Sequence, residues 1–490
     1  MGGYMKKFLA LCMVTILTLG IVGCGADEAA KSENEGKQEN KQTAEGTKNE
    51  SEEVKEEPKQ ERPVKMLTAV VGGNDPDEME LWNQEAERLS GIQLEAVRVA
   101  GDEYDTKITT TLAAGEEIDI LYMNTDIFEK LLPLNAFEPL TSRIEESEVL
   151  GNPEIIDPKE WERIRRDDGE IYAVFNKYEG GRLPLVRKDW LDQLGLDEPQ
   201  DLDGYYDMLR AFTFNDPDGN GQDDTYGFTL KKTYDIQPFM GTKGLVDGYD
   251  VDENGQLFVP YATEEAIEVY DWLARLYAEG IMDPNFPTNG SSDCREMILT
   301  GRAGLMVYWD NWTGLFNDKA LAEDPNTSFE IYGLEPPKGA NGEGSITTGQ
   351  DGLFTLLNYS DNKDWAFKFL EFYHTYEGNI LSTLGIEGHD YTVEDGKYVL
   401  TEIGEQHSMD HGVVVAKSSQ WVNPVKIPKN YEQSRDVVLN YGQPELINAN
   451  SKAAEEIVDK FIIKAILGEI TGEEAVASMQ KELKGKGLID

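Results

Sequence analysis

Short apolar runs and helical amphipathic segments alternate along the chain from residue 64 onward. Residues 66–71, 92–99 and 118–122 are apolar runs of strand length. Between them, residues 78–89 and 104–114 carry apolar side chains at helical spacing. The order strand, helix, strand, helix, strand predicts an α/β lobe with a mostly parallel sheet.

The same two patterns continue toward the C-terminus. Strands are predicted at residues 183–186, 304–308 and 329–332, and helices at 202–212, 264–279, 364–377 and 455–467. Thr263 is predicted to cap the helix that ends before Gly280, and Gly378 to close the helix before it. Thr471 and Glu474 have the spacing of a capping box that opens a last helix. The body, residues 64–490, is therefore predicted to be α/β and rich in helices.

The N-terminus has the pattern of an export signal. Lys6 and Lys7 precede an apolar run over residues 8–22, which is short for a membrane span and ends near Cys24. This arrangement resembles a bacterial lipoprotein signal, which implies that residues 1–23 are removed and that Cys24 carries the lipid. The alternative is an ordinary secretory signal whose apolar region happens to end in Cys.

Residues 24–63, from the lipidated Cys onward, are predicted to form a disordered tether. They are rich in amide side chains and in charged side chains of both signs, and they contain no aromatic residue. Such a segment buries too little apolar surface to offset its conformational entropy. The alternative is an acidic tail that binds a partner. Because the segment mixes positive and negative charges, the tether is favoured over this alternative.

Charge and cysteine content narrow the class of protein. With 45 basic and 93 acidic residues, the formal net charge is −48, which argues against nucleic acid and against anionic lipid head groups as partners. Three cysteines cannot form a disulfide framework, and Cys294 is predicted to be a structural thiol.

The segment 216–224 spaces oxygen-bearing side chains as a calcium loop does, with Gly221 where the loop needs a sharp turn. Counted from Asp216 as position 1, position 12 of the loop is Gly227, where a calcium loop has a bidentate Glu. The coordination of the ion must therefore be completed by other groups. The candidate ligands are the side chains of Asp216, Asp218, Asn220, Asp224 and Thr225 and the backbone carbonyl of Gln222. The alternative is a solvated acidic turn.

Aromatic and polar residues after a predicted strand suggest a sugar site. Trp309 and Trp312 flank Asp310, and flat apolar faces beside hydroxyl-binding groups suit a carbohydrate. The alternative is that these rings belong to the core. Further candidate ligand-binding residues, placed at strand ends or in polar stretches, are Tyr122, Asn124, Gln350, Asp351 and Trp421.

The sequence lacks the common catalytic motifs that would indicate an enzyme. The sequence contains no G-x-S-x-G, H-E-x-x-H or P-loop motif. A glycosidase acid pair stays open, because 93 carboxylates always contain candidate pairs. We therefore predict a protein without catalytic residues.

Three blocks of the body resemble extracellular solute-binding proteins, family 1, of ABC importers, and within them the LipO-like lipoproteins of Gram-positive bacteria. The blocks are residues 111–120, residues 187–196 together with 216–227, and residues 385–397. The resemblance implies a type II periplasmic-binding-protein-like fold, in which two α/β lobes joined by a hinge close on a ligand held between them. It places the first lobe at roughly 64–180 plus part of 300–355, and the second at roughly 185–300 plus much of 355–490.

The resemblance also implies a function. The protein would be a monomer anchored by lipid on the extracellular face of the membrane, binding a small solute, an oligosaccharide, for an ABC permease. A structural Ca²⁺ in the 216–225 loop would stabilise one lobe. A secreted carbohydrate-active enzyme and a peptide-binding or sensor lipoprotein are the alternatives.

Overall fold

The computed structural model describes residues 59–69, 78–99, 101–411 and 414–490. The predicted signal peptide, Cys24 and most of the predicted tether lie outside the described residues. In the part of the chain that is described, no helix is long and apolar enough to cross a bilayer.

Strands and helices alternate through the described chain. The strands are β1 (Val64–Thr68), β2 (Leu94–Arg98), β3 (Ile120–Asn124), β4 (Val174–Phe175), β5 (Gly181–Arg187), β6 (Tyr226–Phe228), β7 (Asp250–Val251), β8 (Leu257–Phe258), β9 (Ala303–Trp309), β10 (Ile331–Gly333), β11 (Ile346–Thr348), β12 (Gly352–Leu356), β13 (Tyr391–Glu394), β14 (Lys397–Leu400) and β15 (Gly442–Gln443). The helices are α1 (Met79–Ser90), α2 (Gly101–Ala114), α3 (Thr125–Leu131), α4 (Thr141–Glu146), α5 (Pro158–Ile164), α6 (Lys188–Leu194), α7 (Leu202–Phe214), α8 (Gln237–Met240), α9 (Ile267–Ala278), α10 (Ser291–Leu299), α11 (Asn311–Glu323), α12 (Lys363–Tyr373), α13 (Tyr376–Thr383), α14 (Glu402–His411), α15 (Tyr431–Tyr441), α16 (Ser451–Ile466) and α17 (Gly472–Gly485).

Two separate sheets define two lobes. The first has the strand order β2-β1-β3-β12-β4, and the second has the order β15-β11-β5-β9-β6 with β10 also paired to β5. In the first sheet β1 is parallel to β2 and β3, whereas β12 is antiparallel to β3 and β4. In the second sheet β5 is antiparallel to β9, β10 and β11. The sheets are thus mixed rather than mostly parallel, because strands that enter from the other lobe run against their neighbours.

Each lobe has its own hydrophobic core. The first core buries Trp82 and Phe354, and the second buries Trp190 and Tyr270. Of residues 300–355, β12 lies in the first sheet, whereas β9, β10 and β11 lie in the second. Of residues 355–490, helix α12 packs on the first core, whereas α16 and α17 pack on the second.

The segments that cross between the two lobes pack closely against one another. The crossings lie at residues 176–180, at 349–351 and between 387 and 430. A Cβ on Gly349 would lie 2.9 Å from Cβ of Glu179 and 3.0 Å from the ring of Trp309, so the first two crossings touch only because residue 349 lacks a side chain. We refer to residues 176–180 and 349–351 as the hinge.

The observed helix termini agree with the sequence-based prediction in one case and differ from it in two others. In the capping box of α17, Oγ1 of Thr471 accepts from the N–H of Glu474, and Oε2 of Glu474 accepts from the N–H of Thr471. The hydroxyl of Thr263 instead donates to the carbonyl of Pro260 and caps nothing. The helix predicted over 364–377 ends at Tyr373, because Thr375 caps a new helix by accepting from the N–H of Gly378 at 3.2 Å.

The last residues assigned to the tether, 59–63, lie against the first lobe. Arg62 donates to both carboxylate oxygens of Asp119 at 2.8 Å. Gln60 exchanges hydrogen bonds with the backbone of Gln93. Because Gln93 and Asp119 directly precede β2 and β3, residues 59–63 belong to the folded body.

Candidate functional site

A cleft lies between the two lobes beside the hinge. It has a smaller cavity of about 230 Å³ and a larger cavity of about 340 Å³. Four residues line both cavities: Tyr249, Gln350, Glu445 and Ile447. The two cavities are therefore neighbours within one cleft.

The smaller cavity is acidic. Its carboxyl side chains are Asp126, Asp247, Glu445, Glu455 and Asp459. Burial, together with repulsion from neighbouring carboxyl groups, raises the pKa of Asp247 to about 8. Burial also raises the pKa of Glu445, Glu455 and Asp459. The cavity therefore concentrates negative charge in a partly desolvated space.

Backbone contacts place these carboxyl groups together. Tyr249 donates its N–H to the carbonyl of Leu446, and Leu446 donates its N–H to the carbonyl of Asp247. Gly248, at φ +102°, permits this approach, because a Cβ there would lie 2.2 Å from the Leu446 oxygen. The segment 247–249 is thereby fixed beside Glu445.

The larger cavity is lined by charged groups that already have partners. Arg163 pairs with Asp351 at 2.8 Å, and Arg166 pairs with Glu129 at 2.7 Å. Lys417 lies 3.9 Å from Asp351 as well. These ion pairs fix the first-lobe wall of the cleft and leave its net charge near balance.

The structure brings two of the sequence-predicted ligand residues into the cleft. Gln350 lines both cavities and Asp351 lines the larger one. Asn124 is adjacent: its Oδ1 accepts from the N–H of Ile127 and caps α3. The first turn of that helix supplies Thr125 and Asp126 to the cleft.

Three further predicted residues lie at or near the hinge. The ring of Trp309 lies against Gly349, and that of Tyr122 lies against Gly352. Asp310 is buried and accepts from the N–H of Gly181 at 3.1 Å. Burial raises the pKa of Asp310 to about 6 against the effect of its backbone hydrogen bonds. These side chains hold the crossing strands in place.

The other two predicted tryptophans pack in hydrophobic clusters. Trp312 packs edge-on against Tyr308 and beside Phe316 in the second lobe. Trp421 is buried, and its ring centroid lies 6.2 Å from that of the exposed Tyr376. Neither is among the residues that line the two cavities.

Sequence reasoning missed most of the cleft. Tyr234, Asp247, Tyr249, Glu445, Glu455 and Asp459 line it without belonging to any motif. Glu455 and Asp459 are four residues apart, so both lie on one face of α16. This spacing is the signal from which an acidic helix face could have been predicted. Nothing local distinguishes that face from other acidic helix faces.

The predicted calcium loop gathers oxygen atoms but is closed by internal hydrogen bonds. Oδ2 of Asp216 accepts from the N–H of Gly221, and the amide of Asn220 donates to Asp218 and Asp224. Within the described residues, no three His, Cys, Asp or Glu side chains converge as around a bound metal.

Individual atoms of the loop differ in their fit to a cation. In the described part of the chain, Oδ1 of Asp216 is buried without a hydrogen-bond partner, which suits a cation ligand. The N–H of Gln222 donates to Oδ1 of Asn220 at 2.7 Å, so this oxygen of the predicted ligand set is already engaged within the loop. Thr225 is buried, and its hydroxyl donates to the carbonyl of Phe212 at 2.8 Å.

Two lobes with separate sheets, joined by crossing strands around a polar cleft, define a solute-binding protein. The chain belongs to the bacterial extracellular solute-binding protein family, whose model matches residues 72–380. The family match confirms the predicted family and the prediction of a binding protein rather than an enzyme.

Individual relatives agree with this assignment. Lipoprotein LipO of Bacillus subtilis is 23% identical over 99% of this chain and 97% of its own. The polygalacturonan/rhamnogalacturonan-binding protein YtcQ of the same organism is 30% identical over 47% of each chain. An HMO-binding, ABC-transporter-associated solute-binding protein of Bifidobacterium longum infantis has a TM-score of 0.66 at 20% identity, over 88% of this chain and 97% of that one. The last match confirms the two-lobed fold.

Proposed function

We propose that the protein is the extracellular, membrane-anchored binding subunit of an ABC importer and that it captures an oligosaccharide in the cleft. The observation that carries this proposal is a polar cleft to which both lobes contribute side chains beside a hinge. Two of the similar proteins described above are named for carbohydrate ligands. Hydroxyl-rich ligands suit the many carboxylate and amide groups of the lining.

In this proposal the lobes close on the ligand through a shift between an open and a closed population. Arg163 and Glu129 lie on the first lobe, and Tyr234 and Glu455 lie on the second. A ligand that contacts both walls binds the closed form more tightly than the open form. The closed form then presents the surface that the permease recognises.

The proposed anchor is a lipid on Cys24, supported by the lipoprotein similar over nearly the whole chain. Metabolic labelling with a fatty acid tests it: the wild-type chain is expected to carry label and to sediment with membranes. Cys24→Ser is expected to lose the label and appear in the medium. Equal labelling of both chains would contradict the anchor.

A structural Ca²⁺ in the 216–224 loop is part of the proposal. The side-chain oxygens of Asp216, Asp218 and Asp224 would hold it, with the carbonyl of Gln222. The ion would neutralise carboxylates that lie together in this loop and would stiffen the turn between α7 and β6.

Isothermal titration calorimetry with neutral, basic and acidic oligosaccharides tests the binding function. We expect saturable binding at one ligand per chain, with the sugar recovered intact afterwards. Release of a shorter product would instead support the carbohydrate-active enzyme. Binding of peptides but of no sugar would contradict the carbohydrate proposal while leaving the family assignment in place.

A further inference from the structure

The charge of the smaller cavity is strongly unbalanced. Five carboxyl side chains line it, and Lys452 is the only basic residue among the described residues that do so. The arginines of the larger cavity are engaged with their own carboxylates. Within the described lining of the smaller cavity, the exposed Lys452 is therefore the one positive group against five carboxyl groups.

Hydrogen bonds within the protein satisfy these carboxyl groups only in part. Glu445 accepts from Gln350 at 3.2 Å and from the hydroxyl of Tyr234 at 3.3 Å. Asp459 accepts from the hydroxyl of Thr233, and Asp247 from the N–H of Gly248. All of these donors are neutral, so they leave the mutual repulsion of the carboxylates in place.

Tyr249 supplies an independent sign that a ligand is expected here. The residue is 4% exposed and lines both cavities. Its hydroxyl has no hydrogen-bond partner anywhere in the described chain. A buried hydroxyl without a partner is energetically unfavourable, and a ligand hydroxyl or amine at this position supplies the missing hydrogen bond.

The negative charge of the smaller cavity favours some classes of carbohydrate over others. A uronic acid in the smaller cavity adds a carboxylate to a site already crowded with them, at a cost that grows as water is excluded. A neutral sugar leaves the repulsion unchanged. A protonated amine relieves it, because it pairs with the ionised carboxylates and favours release of the proton that the carboxyl group of Asp247 otherwise retains.

On the basis of the proposed function, we propose that the smaller cavity binds the amine-bearing end of a basic oligosaccharide, with Asp247 and Glu455 as counter-charges and Tyr249 as hydrogen-bonding partner. The ligand class is thus an amino sugar with a free amine. Sugars built from uronic acids are excluded.

The test is calorimetry of the full chain with matched β-1,4-linked trisaccharides: the glucosamine trimer, its N-acetylated form and cellotriose, together with trigalacturonate. The glucosamine trimer is expected to bind at least tenfold more tightly than cellotriose, and trigalacturonate not measurably. Asp247→Asn and Glu455→Gln are each expected to reduce this preference severalfold. Glu253→Gln, an exposed carboxylate in the β7–β8 turn, is the control and is expected to retain the preference.

The outcomes separate the inference from the proposed function. Tighter binding of cellotriose, the N-acetylated trimer or trigalacturonate would overturn the inference and support the proposed function. An amine preference that both variants retain would also overturn it. Failure of every oligosaccharide to bind would overturn the carbohydrate-binding function, and the inference with it.

Discussion

Gln350 donates a hydrogen bond from its side-chain amide to Oε2 of Glu445 at 3.2 Å. The same amide accepts from the N–H of Asp126 at 3.4 Å through its Oε1. One hinge residue thus touches the first turn of α3 in the first lobe and an acidic residue of the second lobe. This side chain therefore connects the two lobes within the cleft.

Gln350→Ala is expected to weaken ligand binding. It removes an amide that lines both cavities and orients the half-buried carboxylate of Glu445. Loss of one hydrogen bond to the ligand costs about 1–2 kcal/mol, or roughly a tenfold change in Kd. Calorimetry with the best oligosaccharide of the panel measures the change. Gln84→Ala, on the exposed face of α1, is the matched control. Equal affinity of the two variants would show that this contact does not contribute to binding.

Asp247 is expected to make the protein less stable as the pH rises. Its pKa lies at about 8 in the folded protein against 3.8 for an ordinary Asp, so the folded state binds the proton more tightly. The stabilisation is complete below the unfolded value and is lost as the pH rises through the folded value, with an upper limit on the order of 5 kcal/mol.

Urea unfolding at several pH values between about 5 and 8 tests this linkage. The free energy of unfolding is expected to fall more steeply in the wild type than in Asp247→Asn, which keeps an acceptor for the N–H of Gly248. The exposed Glu253→Gln is the control. Parallel pH profiles of wild type and Asp247→Asn would contradict the assignment.

Calcium is expected to raise the melting temperature of EDTA-treated protein. A ligand that binds only the folded state at 100 times its Kd adds about 2.7 kcal/mol. Asp216→Asn should reduce the shift, because it weakens the carboxylate whose Oδ1 has no partner within the described residues. Asp252→Asn is the matched control, since Asp252 accepts backbone N–H groups in a similar turn. An equal shift in both variants would place the ion elsewhere.

Truncating the two neighbouring tryptophans is expected to have different effects. Trp312→Ala should lower the free energy of unfolding by about 3 kcal/mol and leave the Kd unchanged, because the ring packs on Tyr308 and Phe316. Trp309→Ala should weaken binding, because its ring supports the hinge at Gly349. Urea unfolding and calorimetry separate the two effects. A loss of affinity in Trp312→Ala would favour the stacking role that the sequence predicts.

Cys294 is expected to be unreactive in the folded protein. It is 2% exposed, and burial, together with nearby carboxylates, raises its pKa to about 12. Labelling of a chain that carries Cys12→Ser and Cys24→Ser, with Cys294 as its one thiol, should be slow with iodoacetamide in buffer and fast in urea. Rapid labelling in buffer would contradict a buried thiol.

The local elements of this protein follow from its sequence. The predicted strands and most predicted helices are present, and the capping box at Thr471 forms because both partners lie three residues apart. Where the prediction was wrong, two local signals competed: Thr375 starts a helix before Gly378 ends one. The motif blocks were enough to identify the family, which the match over residues 72–380 confirms.

The sequence by itself determined the α/β elements, the family and the oxygen-rich loop, because each depends on residues close together in the chain. Only the tertiary structure decided the binding cleft. Asp247, Gln350, Glu445 and Glu455 come together through the crossing strands and the approach of Gly248 to Leu446. A chain with 93 acidic residues cannot show in one dimension which carboxylates become neighbours, because their pairing depends on how the two lobes pack.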